Sequence, residues 1–359
     1  MRCARGKRLS DAAFFWNKDK SLALAERLPR LADTVFERRL GTLGEKSERV
    51  SALARALAPS FGADPAAAAR AGLLSRCDLV TEMVGEFPEL QGTMGGYYAA
   101  HDGEPDAVVR ALREFYQPRF AGDEIPATPA GQVVALADKL DTLTGIFGIG
   151  SAPTGDKDPY ALRRAALGSL RICIEADAPL DLASALATAA AAHGTRISPE
   201  AAVQVFDFVL ERARGYFVDR GLRADVVESV LATRPATPRE MARRIKAVEA
   251  FLELPEAAAL AAANKRIGNL LRKATEIPDG AADPALLVEP AEQALARELA
   301  QASAETTEAA DQGDYVRYLA RLARLHAPVN AFFDGVLVMA DDERLRAARL
   351  QLLRDLRAL

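Results

Sequence analysis

The chain has few residues that can bind a transition metal. Its 359 residues include three cysteines and three histidines, namely Cys3, Cys77, Cys173, His101, His193 and His326. These residues lie far apart in sequence, and they form neither an even disulfide framework nor a CxxC metal pair. Their scarcity argues against a zinc enzyme and against a histidine-based metallohydrolase.

Aromatic residues and long apolar runs are also scarce. Aromatics make up 6% of the residues, whereas Ala and Leu dominate a hydrophobic fraction of 50%. This composition argues against a β-sandwich or barrel and favours helices. No stretch approaches the roughly 18 apolar residues of a membrane span, and no apolar run after Met1 marks a secretory signal. We therefore expect a cytoplasmic protein with no membrane partner.

Charge is unevenly distributed. The net charge is -4, yet residues 1–50 carry about +5 and residues 237–273 about +4. Local basic patches on an acidic protein suit a polyanion that is bound and released. Ordinary solvated helix faces are the alternative interpretation, and the counts alone favour it.

Helix starts are marked where a capping residue precedes a proline. Six such pairs occur: Asp64-Pro65, Thr128-Pro129, Asp158-Pro159, Ser198-Pro199, Thr237-Pro238 and Asp283-Pro284. Apolar residues in segments 50–57 and 332–339 follow helical spacing, and strict alternation is absent over any useful length. A Gly-, Pro- and Ser-rich stretch at 145–159 predicts a loop. The patterns together predict a nearly all-α chain.

Residues 150–157 look at first like a phosphate-binding loop. In such a loop the lysine directly follows the second glycine, so that its ammonium reaches the phosphates. Here Asp156 stands between Gly155 and Lys157, and no predicted strand comes before the segment. The plainer prediction is a loop that leads into a helix capped by Asp158.

His101-Asp102 is a literal His-Asp pair. A two-metal HD phosphohydrolase needs several convergent ligands, including an earlier histidine. No histidine precedes His101, and the polar residues around the pair predict a surface turn. An active phosphohydrolase is kept as an alternative function.

The most informative helix covers residues 263–274. At about 100° per residue, one side gathers the apolar residues Ile267, Leu270, Leu271 and Ala274. The other side gathers Lys265, Arg266, Asn269, Arg272 and Lys273. Such a face can hold phosphates by charge and a base edge or ribose through Asn269, although solvated basic faces are common.

Two other segments carry arginines or aromatics. Residues 158–168 predict a capped helix with Arg163 and Arg164 in its second turn. A salt-bridged helix between domains is the alternative to a functional role for these arginines. Residues 332–339 predict a buried helix in which Phe332 and Phe333 pack into the core. An acidic turn and an arginine-bearing helix follow.

Seven segments together resemble one family. They occur in the order found in that family and span the chain nearly end to end. They are residues 8–16, 35–44, 78–92, 137–143, 153–164, 265–269 and 332–339. The longest read Asp78-Leu-Val-Thr-Glu-Met-Val-Gly-Glu-Phe-Pro-Glu-Leu-Gln-Gly92 and Pro153-Thr-Gly-Asp-Lys-Asp-Pro-Tyr-Ala-Leu-Arg-Arg164. The chain thus resembles the β subunit of the bacterial two-subunit (α2β2) glycyl-tRNA synthetase.

The resemblance implies a domain organisation. It corresponds to the C-terminal half of the subunit, with the family's long N-terminal region missing. Residues 1–35 would link to that region, residues 36–175 would form a degenerate HD-type helical domain, and residues 176–359 would hold a helical DALR-type anticodon-binding domain with its core at about 205–350. Cys77-Asp78 stands about where an HD pair would lie and Asp138 about where the last Asp would, so we expect neither metal nor hydrolase activity.

The resemblance also implies a function. The chain would belong to glycine–tRNA ligase and would bind and position tRNA(Gly) for glycylation. The activation site lies on the α subunit, so we expect no catalytic residue and no cofactor on this chain. ATP would be used by the holoenzyme, with Mg²⁺ on the α subunit. The partners would be the α subunit, in an α2β2 tetramer, and tRNA(Gly).

The expected tRNA-binding residues come from two of the segments. They are Lys265, Arg266, Asn269, Arg272, Lys273, Arg163, Arg164 and Lys157. Besides the phosphohydrolase, a folded but truncated fragment without useful tRNA affinity is left open as an alternative.

Overall fold

The computed structural model describes residues 12–274, 280 and 282–359. The chain divides into two compact units. The first unit holds the residues up to Gly221 together with Leu231–Arg239, and the second unit holds Leu222–Val230 and Glu240–Leu359. The domain boundaries expected at residues 35 and 175 describe a different subdivision and stay predictions.

The first unit is built from helices around one buried helix. The α-helices are α1 (residues 12–19), α2 (Leu28–Leu31), α3 (Leu43–Leu57), α4 (Pro65–Leu74), α5 (Glu82–Glu86), α6 (Thr93–His101), α7 (Asp106–Glu114), α8 (Pro129–Gly148), α9 (Leu162–Glu175), α10 (Leu182–Ala191) and α11 (Ala201–Val218). Short 3-10 turns cover Leu24–Arg27, Ala58–Phe61, Cys77–Val80, Pro88–Leu90 and Gly194–Arg196.

Helix α8 is the centre of this unit, because it is apolar on nearly every side. Helices α3, α4, α7, α9, α10 and α11 all pack against it. The Thr128 hydroxyl caps it by accepting from the Gly131 amide at 3.1 Å, with Pro129 at the first helical position. A helix that is apolar all round is expected at the centre of a core.

A single hairpin interrupts the helices. Strands β1 (Val35–Glu37) and β2 (Gly41–Thr42) are antiparallel, with Val35 opposite Thr42 and Glu37 opposite Gly41. In the described part of the chain this is the only sheet. The predicted all-α class is therefore confirmed.

The second unit continues the helical architecture. Its helices are α12 (Ala224–Leu231), α13 (Pro238–Leu252), α14 (Ala257–Lys273), α15 (Pro290–Asp311), α16 (Tyr315–Ala323), α17 (His326–Gly335) and α18 (Glu343–Ala358). The end of α12 and the start of α13 extend into the first unit. Helix α14 packs on α17 and α18, and Ile267, Leu295, Phe332 and Leu353 meet in its core.

The predicted helix starts have mixed outcomes. Helices begin as predicted at Pro65, Pro129 and Pro238. Pro284 instead opens a single 3-10 turn. Helix α11 begins at Ala201, two residues after Pro199, because the Ser198 hydroxyl turns the chain by binding the Glu200 amide.

The helix predicted from residue 159 begins later. The Asp158 carboxylate accepts from the amides of Leu162 at 2.7 Å and Arg163 at 3.0 Å. The backbone between them turns through Ala161, which has a φ of 54°. Helix α9 therefore starts at Leu162, and Arg163 and Arg164 lie in its first turn rather than its second.

Two other boundaries differ from prediction. Helix α8 runs to Gly148, so the predicted loop at 145–159 begins only at Ile149. Helix α17 ends at Gly335, and the prediction of a helix through Met339 was wrong. Arginine side chains of α18 bind the carbonyls of this stretch, Arg349 that of Leu337 at 2.7 Å. The chain leaves the helix at Val336, whose backbone is extended, with φ of -122° and ψ of 122°.

Within the described residues, no helix combines the length and the apolarity that crossing a membrane requires.

Candidate nucleic-acid interface

The basic face of α14 consists of Lys265, Arg266, Asn269, Arg272 and Lys273. All five residues are exposed, as their spacing predicted. On the opposite side Ile267 is 2% exposed. Leu270, Leu271 and Ala274 are partly buried against the same core. The apolar side docks α14 onto the second unit, and this leaves four cations and one amide in solvent.

Two members of the basic face have local partners. The Arg266 guanidinium lies 4.0 Å from the centre of the Phe333 ring. A cation over an aromatic face is held by the ring quadrupole while it keeps its charge. The Arg272 guanidinium donates to the Asn269 side-chain oxygen. The Asn269 amide nitrogen is then the group left to contact a base or ribose.

Phe333 was predicted only as a core residue. Phe332 is fully buried, as predicted, and the two rings pack edge to face with centres 5.6 Å apart. Phe333 is partly buried against the same core, as predicted, and it also supports Arg266. Its contact joins two helices that are far apart in sequence, and no local pattern reveals it.

A second basic group lies in the first unit, where the structure brings Lys157, Arg163 and Arg164 into one stretch around the start of α9. Lys157 is exposed and forms a short antiparallel bridge with Thr154. The Arg163 guanidinium donates to the Gly155 carbonyl at 2.5 Å. Arg164 is exposed. This group and the α14 face belong to different units, and each stands by itself.

Residues 150–157 do not fit an ATP–Mg²⁺ site. Helix α8 precedes them where a P-loop would need a strand, and the Thr154–Lys157 bridge closes the turn on itself. In the described part of the chain, no three His, Cys, Asp or Glu side chains converge as a metal would require. Residues 150–157 therefore lack the features of a P-loop type ATP–Mg²⁺ site.

The HD-like carboxylates are engaged by other donors. Asp78 is 1% exposed, and one of its oxygens accepts from the amides of Gly92 at 2.6 Å and Gly95 at 3.1 Å. Burial raises the pKa of Asp78 to about 6 against the effect of these bonds. Asp138 pairs with Arg76, and with Lys46 at 3.2 Å. Asp138 is thus neutralised by two cations, whereas the second oxygen of Asp78, Oδ1, is buried without a hydrogen-bond partner.

A buried ionic cluster lies beside them. Asp141 accepts from Lys46 at 2.8 Å and from Arg49 at 2.6 Å, and His193 Nε2 is 3.2 Å from it. All four side chains are at most 9% exposed. Burial alone would raise the pKa of Asp141, but Lys46, His193 and Arg49 hold it well below its usual range. The cluster ties α3 to α8 and is structural.

The literal His-Asp pair lies elsewhere. His101 is the last residue of α6, and Asp102 begins the turn that follows. Both are exposed, as predicted for a surface turn. The Asp102 carboxylate accepts from the Leu24 amide at 2.6 Å, which ties the turn to the N-terminal part of the unit.

Known families cover most of this chain. Residues 6–232 match the family described as glycyl-tRNA synthetase beta subunit. The chain belongs to this family. Residues 260–359 match the DALR anticodon binding domain. The family predicted from the seven segments is thereby confirmed, and so is the DALR-type domain.

Three relatives show the extent of the similarity. All are named glycine–tRNA ligase beta subunit. The one from Aeromonas hydrophila is 52% identical over 354 residues, that from Ralstonia nicotianae 51% over 354, and that from Pseudomonas aeruginosa 51% over 351. Each alignment covers 98% of this chain and 50–51% of the relative. The chain spans about half the length of the curated relatives it matches.

The two basic groups fall in stretches of the chain that match two different families. Lys157, Arg163 and Arg164 lie in the stretch that matches the β subunit itself. All five residues of the α14 face lie in the stretch that matches the DALR anticodon binding domain. The α14 face is thus an exposed, cationic surface on a helical domain of a nucleic-acid-binding type.

Proposed function

We propose that this chain binds and positions tRNA(Gly) as part of the β subunit of glycine–tRNA ligase, in the cytoplasm. The observation that carries the proposal is the exposed basic face of α14 on the domain that matches an anticodon-binding family. Glycine activation would take place on the α subunit, its partner in an α2β2 tetramer. ATP and Mg²⁺ would be used there and not on this chain.

The physical contribution of the chain is binding energy. Cations on the α14 face neutralise phosphates and release counterions, which supplies affinity and strong salt dependence. The Asn269 amide nitrogen donates to an unstacked base or a ribose, a contact that can discriminate between RNAs. Lys157, Arg163 and Arg164 contribute further phosphate contacts. Positioning the tRNA converts its encounter with the activated glycine into an effectively intramolecular step.

The first experiment removes charge from the α14 face. We expect Lys265→Ala/Arg272→Ala to weaken tRNA(Gly) binding and to reduce the salt slope by about 2, with helix content unchanged. The matched control is Arg297→Ala/Arg324→Ala, which removes two exposed cations of the same unit, one from α15 and one from the turn after α16. The control should keep both the affinity and the slope. Equal effects of the two double variants would exclude the α14 face as the site.

A second variant separates affinity from recognition. Asn269→Ala should change the preference for tRNA(Gly) over an unrelated tRNA, while charge removal weakens both tRNAs alike. Co-purification with the α subunit distinguishes a working ligase part from a truncated fragment. A chain that neither prefers tRNA(Gly) nor binds the α subunit would support the fragment interpretation.

A further inference from the structure

A groove in the first unit is lined by an unusual number of arginines. It lies between α9, α11 and residues 118–121 and has a volume of about 630 Å³. Six arginines line it against two carboxylates, Glu211 and Asp219. We define the arginine groove by the residues that carry the argument: Phe120, Arg163, Arg164, Arg212, Tyr216 and Arg220.

Three of its guanidinium groups keep their charge unpaired. Arg163 donates to the Gly155 carbonyl and Arg220 to the Tyr216 carbonyl at 3.2 Å. Arg164 contacts the Arg119 carbonyl at 3.5 Å. Within the described residues, no carboxylate lies at salt-bridge distance from any of these three. Hydrogen bonds to backbone carbonyls orient a guanidinium group without neutralising it, so its charge remains available to an anion.

Other arginines of the groove are compensated. Arg171 pairs with Glu175 at 2.7 Å and donates to the Ala121 carbonyl. Arg212 pairs with Glu211, while its buried Nε has no hydrogen-bond partner. An anion in this groove would thus use the charges of Arg163, Arg164 and Arg220.

Two aromatic rings accompany this charge. Phe120 is 60% exposed at the groove, so the face of its ring is accessible to a ligand there. The Arg220 guanidinium stacks over the Tyr216 ring, 3.6 Å from its centre. Arginine planes and aromatic rings are the surfaces on which unpaired bases stack, while flanking cations follow the phosphates.

We infer that the arginine groove binds a single-stranded segment of RNA, with a base on Phe120 and phosphates on Arg163, Arg164 and Arg220. The exposed ring favours RNA over an acidic protein partner, because acidic side chains gain little from an aromatic face. The inference rests on the proposed function only for the choice of RNA as the polyanion. It extends the phosphate contacts proposed for Arg163 and Arg164 to a groove with an exposed aromatic ring and Arg220, and it is independent of the α14 face.

The test measures binding of the full chain to a fluorescein-labelled, unstructured RNA of about 10 nucleotides, a length typical of single-strand grooves. We expect Phe120→Ala to lower affinity at least about 5-fold, the lower limit for losing one stacked base. We expect Arg164→Ala/Arg220→Ala to reduce the salt slope by about 1.4, which is two single-strand phosphate contacts. The matched control, Arg30→Ala/Arg55→Ala, removes two exposed arginines outside the groove.

Unchanged RNA affinity in both groove variants would overturn the inference. So would displacement of the RNA by polyglutamate combined with no effect of Phe120→Ala, since that would identify a surface for acidic proteins. The oligonucleotide carries no tRNA identity. Groove-dependent binding of it without any preference for tRNA(Gly) would therefore refute the proposed function alone, and the reverse result would refute the groove alone.

Discussion

The buried cluster around Asp141 gives the sharpest prediction on stability. Asp141→Asn keeps the size of the side chain but removes its charge. Among the described residues this leaves Arg49 buried without a carboxylate partner, while Lys46 keeps only Asp138, at 3.2 Å. Their nitrogens lie 2.8 and 2.6 Å from the carboxylate oxygens. Breaking one side of a buried ion pair costs about 3–5 kcal/mol. Since domains are stable by about 5–15 kcal/mol, the loss should be a large fraction of the total.

The chain provides its own probe for this measurement. Its single tryptophan, Trp16, stacks on Tyr98 in the first unit, with ring centres 5.2 Å apart. Urea unfolding followed by tryptophan fluorescence therefore reports on that unit, even if the two units unfold separately. The control is Asp106→Asn, whose side chain is 76% exposed beside Arg110. Removing an exposed ion pair of this kind should lower the free energy of unfolding by less than about 1 kcal/mol.

The result that would refute this reasoning is a small loss for Asp141→Asn, no larger than that of the control. It would mean that the three donors find other partners or that water reaches them. The pH dependence has a definite sign. The pKa of Asp141 is depressed by folding, so its stabilising contribution is complete above the unfolded value of about 3.9 and is lost as the pH falls below it.

Three further predictions use other buried groups. Folding raises the pKa of Asp78 to about 6, so the native state binds an extra proton between pH 4 and 6, and its stability falls as the pH rises through that window. Urea titrations should show that the free energy of unfolding of Asp78→Asn depends less on pH in this window than that of the original chain. Ile267→Ala should lower the free energy of unfolding of the second unit, measured by circular dichroism, by about 2–5 kcal/mol. The unfolding transition reported by Trp16 fluorescence should not move, and a shift of it would contradict the assignment of Ile267 to the core of the second unit. Burial raises the pKa of the Cys77 and Cys173 thiols to about 12, so with Cys3→Ser in place a disulfide reagent at neutral pH should label only the unfolded chain, whereas rapid native labelling would contradict it.

Local patterns predicted much of α14. Its apolar and basic residues alternate with the period of a helix, so both the buried side and the exposed side followed from spacing. The Asn269–Arg272 hydrogen bond could also have been foreseen, because residues three apart are neighbours on a helix. The contact between Arg266 and Phe333 could not, since it depends on how α17 packs against α14.

Helix ends were harder to predict than helix faces. Asp64 and Thr128 act as caps as expected, whereas Asp158 binds amides four and five residues ahead and delays α9 to Leu162. A capping side chain indicates that a helix is near, and the conformation of the residues between the cap and the helix determines where the helix begins. The stretch that follows α17 is held by Arg349, a residue of another helix that binds the Leu337 carbonyl, and no local pattern reveals this contact.

The charged clusters of the first unit depended almost entirely on tertiary structure. Lys46 and Asp141 are 95 residues apart, and no sequence pattern pairs them. The arginine groove likewise combines Phe120, Arg164 and Arg220 from three parts of the chain. Arg163 and Arg164 were singled out from sequence, but the aromatic side of the groove was not.

The most direct measurement is the binding of this chain to tRNA(Gly) and to one unrelated tRNA at two salt concentrations. We predict tighter binding to tRNA(Gly), with an affinity that falls steeply as salt rises because phosphate contacts release counterions. Equal affinity for the two tRNAs, or binding that is insensitive to salt, would contradict the proposal that this chain recognises and positions tRNA(Gly).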